Sequence, residues 1–325
     1  MEAGKGDNTG SGRGRDAVRP RDIPAKGWKD IALRVWRSLG EDKLFLIAAG
    51  VTFYLLLALF PALGTFIALY GLIADPATVA EHVTVLQGVM PGPATELLSA
   101  QMTRLAGAQS GDLGLSALIA LVISLWSANG GVKAIFEGVN IAYDEAEKRS
   151  FIKLTLVTLA FTLGAMGLMI ALIGVLAVLP AVLALVPLGQ GAEIAVSMLR
   201  WPLILVLIGL ALSVLYRFAP SRTPPEWTWV TWGSGLATVL WVAASVAFSI
   251  YLERFADFGA SYGAMAAPIA FLLWVWISII VVLLGAEVNA EMEHQTAHDT
   301  TVGAQKPMGQ RGAEVADTLG EATEN

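Results

Sequence analysis

The sequence predicts an all-α membrane protein: a six-helix transmembrane bundle with short interfacial helices in its first outer loop. Three observations carry that prediction. Hydrophobic residues make up 55% of the 325-residue chain and charged residues only 15%, whereas soluble chains average about 25% charged. The charges are segregated, with ten of the 21 Lys and Arg in residues 1–43 and none in long central runs. The apolar stretches between them reach or exceed the ~20 residues that a bilayer-spanning helix needs.

The chain has no cysteine, which removes a disulfide framework, a thiolate metal site and a Cys nucleophile. Residues 1–27 are rich in Gly, Arg and Asp without apolar periodicity, so a disordered basic tail is expected. Across residues 28–39, Trp28, Ile31, Leu33, Val35, Trp36 and Leu39 alternate with Lys29, Asp30, Arg34 and Arg37. That pattern predicts a short amphipathic helix on the membrane surface.

The first span is expected from Leu44 to Ile73. It is longer than a bilayer requires and contains Pro61, which removes one backbone hydrogen bond and is expected to kink the helix, either as a static bend or as the candidate hinge. The long leading tail and the length of the run argue for an uncleaved span, not a signal peptide. In residues 74–112, Pro91 and Pro93 separate two amphipathic pieces, 78–90 and 94–105, expected to lie at the interface as anchors or as a substrate cap.

The second span starts at Leu113 and acquires polar residues without losing helical spacing. Trp126, Asn129, Lys133, Glu137, Asn140 and Asp144 follow one another at steps of three or four and share a face. The third span, about Leu154 to Leu185, has a small-residue edge at Gly164, Gly167 and Gly174 that suits close helix packing. The fourth is expected at Met198–Phe218, the fifth at Val230–Tyr251, and the sixth at Ala264–Leu284 with an extension toward Ala290. Trp227, Trp229 and Trp232 form an expected interfacial belt at the entry to the fifth. Residues 292–325 are acidic and rich in Gly and Thr, and are expected to be disordered.

Counting basic residues orients the bundle. With six spans, one side holds 18 Lys and Arg, and the other holds only Arg104, Arg200 and Arg254. The positive-inside rule then places both termini in the cytoplasm.

Ionisable residues within a membrane are costly and mark pathways or paired contacts. The candidate polar pathway is therefore Trp126, Asn129, Lys133, Glu137 and Asn140, joined by Glu287 and Asn289 at the end of the sixth span. Residues 114–140 and 263–289 echo one another, each with tryptophan near the middle and a glutamate shortly before the asparagine. Chance explains the echo; the alternative is that both helices line one cytoplasm-facing cavity. Glu287 is placed either to take a proton or to hold Arg217. Glu287, Glu291, His294 and His298 share a helical face at metal-ligand spacing, but an exposed helix end gives the same pattern. No metal and no cofactor are assigned.

Leu59-Phe60-Pro61, Trp126-Ser127, Asn140-Ile141-Ala142-Tyr143, the run Leu215-Tyr216-Arg217-Phe218-Ala219-Pro220, Tyr262-Gly263 and Leu284-Gly285-Ala286-Glu287-Val288-Asn289 together resemble the YihY/BrkB family. The resemblance covers roughly residues 30–292. It implies a bacterial inner-membrane protein with six helices, and it implies little about activity. An old family label, ribonuclease BN, fits poorly: the three histidines are His82, His294 and His298, and no basic RNA-binding surface exists beyond the N-terminal tail. Neither an enzymatic role nor a nucleic-acid partner is expected.

Two readings of function follow. The first is a transporter or permease-like protein for a lipid or small solute; without a G-x-x-x-x-G-K-[ST] loop it would not be powered by its own nucleotide site. The second is a non-transporting scaffold for envelope proteins. The bilayer is the expected partner, a homo-oligomer stays open, and protein partners are not named by the sequence.

Overall fold

The computed structural model describes residues 12–73, 110–173, 175, 190–254 and 265–322. The interfacial pieces expected at 78–90 and 94–105 lie outside these residues, as do Gly174 and Pro180. Among the described residues the fold is all-helical. A 3-10 turn, Pro20–Asp22, precedes α1 (Ala25–Glu41), α2 (Leu44–Ile73), α3 (Ser110–Ala142), α4 (Phe151–Ile173), α5 (Gln190–Phe218), α6 (Trp227–Arg254), α7 (Ala266–Glu293) and the short α8 (Glu314–Asp317). No strand occurs there; Pro225 and Thr301 form an isolated bridge.

Four of these helices contain stretches long and apolar enough to cross a membrane: Phe151–Leu168, Met198–Phe218, Trp227–Arg254 and Pro268–Glu293. Leu44–Ala58 of α2 is a shorter apolar stretch. Helix α2 runs without interruption through Pro61. A second proline, Pro202, sits inside α5.

The chain divides into two compact units. The first comprises Met1–Ala48, Ile135–Ala243 and Ser278–Asn325; the second comprises Ala49–Ala134 and Ala244–Ile277.

In the first unit, one side of the amphipathic α1 packs against protein. Ile31 and Val35 are buried with Trp229 of α6 and Val288 and Met292 of α7, and Trp28 packs against the same cluster. The amphipathic spacing of α1 thus serves packing within the chain, while Leu33 and Trp36 remain exposed. Trp229 belongs to this core and not to an aromatic belt, whereas Trp227 and Trp232 are exposed.

The helix crossings of this unit rest on glycines other than those expected. A Cβ on Gly138 of α3 would lie 2.8 Å from Leu283 and 3.0 Å from Ile47. One on Gly233 of α6 would lie 2.3 Å from the Gly285 carbonyl oxygen, and one on Gly285 would lie 2.4 Å from the Tyr216 hydroxyl. Gly164 and Gly167 of α4 face open space. The small-residue edge read from the sequence is therefore not a packed crossing among the described residues.

The expectation of disordered tails over 1–27 and 292–325 also gives way where the chain is described. Residues 12–23 and 294–322 fold together over the ends of α1 and α7. Arg13 grips the buried Asp30 carboxylate through two contacts of 2.7 Å. The Ala297 N–H donates to the Arg15 carbonyl at 2.8 Å, and the Gln295 side chain donates to the Arg13 carbonyl at 2.8 Å. The Arg15 guanidinium donates to the carbonyls of Gly320 (2.5 Å) and Gln295 (3.3 Å). Asp317 accepts from the backbone N–H groups of Gly309, Arg311 and Gly312 at 2.7–3.0 Å. Side-chain-to-backbone bonds, not apolar periodicity, hold this cap, which is why a compositional reading misses it.

Candidate functional site

The residues of the expected polar pathway separate into distinct roles. Trp126, Asn129 and Lys133 fall in the second unit. Trp126 is 65% exposed, and the Lys133 ammonium lies 5.9 Å from its ring centroid. Asn129 is buried at 2% exposure, and its side-chain oxygen has no hydrogen-bond partner among the described residues. Close packing of α3 on α2 surrounds it: Cβ atoms on Gly130 and Gly131 would sit 3.5 Å from Tyr54 and 3.0 Å from Leu55. A buried acceptor left unsatisfied is costly, so Asn129 keeps its standing as a candidate.

Glu137, Asn140, Glu287 and Asn289 fall in the first unit. Glu137 is exposed. Asn140 accepts from the Ser221 N–H at 2.7 Å and donates to Glu147 at 3.1 Å. Asn289 accepts from the Gly233 N–H at 2.8 Å and donates to the Val230 carbonyl at 3.2 Å. Both asparagines are buried and spend both ends of the carboxamide on neighbouring segments. Each ties two segments of the chain together. The echo between 114–140 and 263–289 therefore extends to the asparagines and stops at the glutamates.

Glu287 is different. It is 2% exposed, one of its oxygens has no partner among the described residues, and its carboxyl hydrogen-bonds to the Asp42 side chain. It does not hold Arg217, whose guanidinium instead donates to the Pro225 carbonyl and stacks 4.4 Å from the Trp227 ring centroid. Glu287 and Asp42 line a cavity of about 350 Å³ in the first unit, together with Arg34, Asp144, Glu291 and His294.

Local chain geometry builds this cavity. Asp42 caps the C-terminal end of α1, and the next residue, Lys43, has φ +52° and turns the chain into α2. Asp144 closes α3: its N–H bonds to the Ile141 carbonyl at 2.9 Å and the Glu145 N–H bonds to the Asn140 carbonyl at 2.8 Å. That pair of bonds is a Schellman cap, whose left-handed position is usually glycine; Asp144 occupies it with φ +52°. Aspartate tolerates this conformation better than most residues, and here it brings a carboxylate to the cavity wall.

The charges in the cavity are unequal. Glu291 is matched by Arg34, which also donates to the Gln295 side chain at 2.8 Å, and His294 lies 3.8 Å from the Glu291 carboxylate. Burial pushes the Asp42 carboxyl above the usual aspartate range, and the Asp144 charge adds to that rise. Burial also raises Asp144, against the opposing pull of His294. Two carboxyls in hydrogen-bond contact favour a shared proton. Among the described residues no three His, Asp or Glu side chains are grouped to hold a metal ion. The arrangement suits uptake and release of a proton. Sequence reasoning found Glu287 and placed Asp144 on the polar face of α3 without joining the two, and it missed Asp42, because the three come from separate helix ends.

A family model described as Virulence factor BrkB matches residues 35–309, continuing past α7 into the folded C-terminal segment. The ribonuclease-like protein YfkH of Bacillus subtilis is 30% identical over 81% of this chain and 93% of its own length. UPF0761 membrane proteins of Albidiferax ferrireducens and Verminephrobacter eiseniae are 25% and 27% identical over 85% and 83% of this chain. The chain spans only 65% and 63% of those two relatives. No solved structure matches.

Proposed function

Because the chain belongs to the virulence factor BrkB family of membrane proteins, we propose a function carried within the bilayer. The protein is a six-span permease-like protein of the bacterial inner membrane, moving a lipid or small solute, with both termini cytoplasmic and no enzymatic step. The six-span topology is supported by the composition of the first unit. Helix α2 leaves it and α3 returns to it, α4 and the described α5 lie in it, and α6 leaves it as α7 returns. The folded ends of the chain and 17 of the 19 Lys and Arg described in the structure sit there too.

The observation that carries the permease reading is the Asp42–Glu287 pair: a buried carboxyl with an unused oxygen, facing a cavity at the end of an apolar helix. Such a pair couples movement to a proton by holding it in one state and releasing it in another. The test is reconstitution into liposomes that hold an internal pH dye and a fluorescent phospholipid. Wild-type protein speeds proton entry or lipid movement over protein-free vesicles, and Glu287→Gln, inserted to the same extent, loses at least tenfold of that rate (of the order that removing one proton-transfer group costs). Wild-type vesicles no faster than empty ones, or a Glu287→Gln rate equal to wild type, would sink the proposal.

A further inference from the structure

We propose that the first unit carries a second site, a basic cavity that binds the phosphate of an anionic phospholipid headgroup. The cavity, about 620 Å³, lies between the first turn of α4 and the segment after α5. Lys148, Arg149, Lys153, Arg217 and Arg222 line it, with no Asp or Glu among the described lining residues.

The charges there are only partly answered. Lys148 pairs with Glu145 at 2.7 Å, Arg149 grips Glu147 at 2.6 Å, and the Arg222 guanidinium turns away to Glu293 at 2.6 Å. Lys153 and Arg217 form no ion pair among the described residues, so the cavity keeps a positive excess. Arg217 also lies 4.4 Å from the Trp227 ring centroid, and its buried Nε has no acceptor among the described residues. The cavity opens beside the start of the 23-residue helix α4, where Ser150 accepts from the Lys153 N–H at 3.4 Å. The unpaired N–H groups and dipole of a helix start add to the attraction for an anion.

The apolar surroundings point to a lipid as the source of the phosphate. Phe151, Ile152 and Leu156 of α4 and Leu210, Val214 and Phe218 of α5 are exposed on the helices that border the cavity. A headgroup in the basic cavity with acyl chains along these helices satisfies both surfaces; a free phosphate satisfies only one. Basic pockets between transmembrane helices are a known way to hold anionic headgroups. The site does not depend on the transport reading, since it requires binding alone.

The experiment is calorimetric titration of the full-length protein in neutral detergent with dihexanoyl phosphatidylglycerol, dihexanoyl phosphatidylcholine and inorganic phosphate. Lys148 and Lys153 have exposed side chains, and neither lines the Asp42–Glu287 cavity. Lys153→Gln is expected to weaken phosphatidylglycerol binding about fivefold, and the Lys148→Gln/Lys153→Gln pair about 25-fold. Lys153→Arg keeps wild-type affinity. Phosphatidylglycerol binding no tighter than phosphatidylcholine, or undiminished in Lys153→Gln, overturns the site. Inorganic phosphate binding as tightly as phosphatidylglycerol overturns the lipid as its ligand. Because flux is not measured, failure here leaves the permease reading standing, and failure of the flux test leaves this site standing.

Discussion

The Gly233 amide of α6 donates to the side-chain oxygen of Asn289 on α7 across 2.8 Å, and the contact exists only because position 233 has no side chain. A Cβ there would lie 2.4 Å from that same oxygen and 2.3 Å from the Gly285 carbonyl. Gly233→Ala must push α6 and α7 apart, with a loss of about 1–3 kcal/mol expected for overpacking. Asn289→Leu loses both bonds and leaves the Gly233 N–H buried, for about 1–3 kcal/mol. Thermal unfolding in detergent measures both, and neither substitution acts on the proton site directly.

Arg222 and Glu293 form an ion pair with both side chains fully buried, and Thr300 adds a hydroxyl bond of 2.5 Å to the carboxylate. Removing one member strands the other's charge, which typically costs about 3–5 kcal/mol. Glu293→Gln is expected in that range. The double variant Arg222→Met/Glu293→Leu is expected to be less destabilised than Glu293→Gln, because no buried charge is left. Denaturation midpoints of the three proteins side by side decide it.

The acid response should have two opposed components. Asp42 is raised above its ordinary 3.8, so the folded protein binds its proton more tightly than the unfolded chain does. Its contribution to stability is complete below 3.8 and is lost as pH rises through the folded value. Glu147 is lowered from 4.5 to about 2 by its hydrogen bonds to Arg149 and Asn140. Its contribution is complete above 4.5 and is lost as pH falls toward 2. Melting temperature against pH should therefore lose its acid-side decline in part in Glu147→Gln, and lose the fall above 3.8 in part in Asp42→Asn. A variant curve parallel to wild type throughout removes that residue from the account.

Asp144→Gly relieves a left-handed aspartate, where a non-glycine residue costs roughly 1–2 kcal/mol. The variant should melt higher than wild type. It should also shift proton uptake at Asp42 to lower pH, since the Asp144 charge that helps raise Asp42 is gone. A stabilised protein whose flux profile against pH is unmoved would confine Asp144 to a turn role.

Trypsin reports on the cap. Arg311 is buried at 4% exposure and donates to the carbonyls of Ala297 and Ala316. Cleavage after Arg13, Arg15 and Arg311 should be slow in the native protein and fast after denaturation. Rapid native cleavage at Arg311 would mean that the cap is open in solution.

The transmembrane helices were legible because the bilayer imposes a strong rule on composition and length. The expected Met198–Phe218 and Val230–Tyr251 correspond to α5, Gln190–Phe218, and α6, Trp227–Arg254. The polar face of α3 was legible as a face, but spacing alone could not distinguish Asn140, tied to Ser221, from Glu137, left exposed. That distinction is made by segments far away in sequence. The acidic cavity was half legible: Glu287 stood out against an apolar run, while Asp42 and Asp144 look like ordinary charges at helix ends. The cap left one usable signal, the opposite charge of the segments before α2 and after α7. Arg34 with Glu291 and Arg13 with Asp30 show how such charges are used, one between the leading segment and the end of α7 and one within the leading segment.

The cap also sets the timing of biosynthesis. Arg15 finds its acceptors 280 and 305 residues downstream, at Gln295 and Gly320. At the usual ~5–20 residues per second of translation, that separation is on the order of 15–60 seconds. During that interval α2 to α7 can enter the membrane while Arg15 waits for Gln295 and Gly320. A ribosome that stops just before Gln295 releases a protein whose α7 is complete and whose Arg15 lacks its Gln295 and Gly320 acceptors.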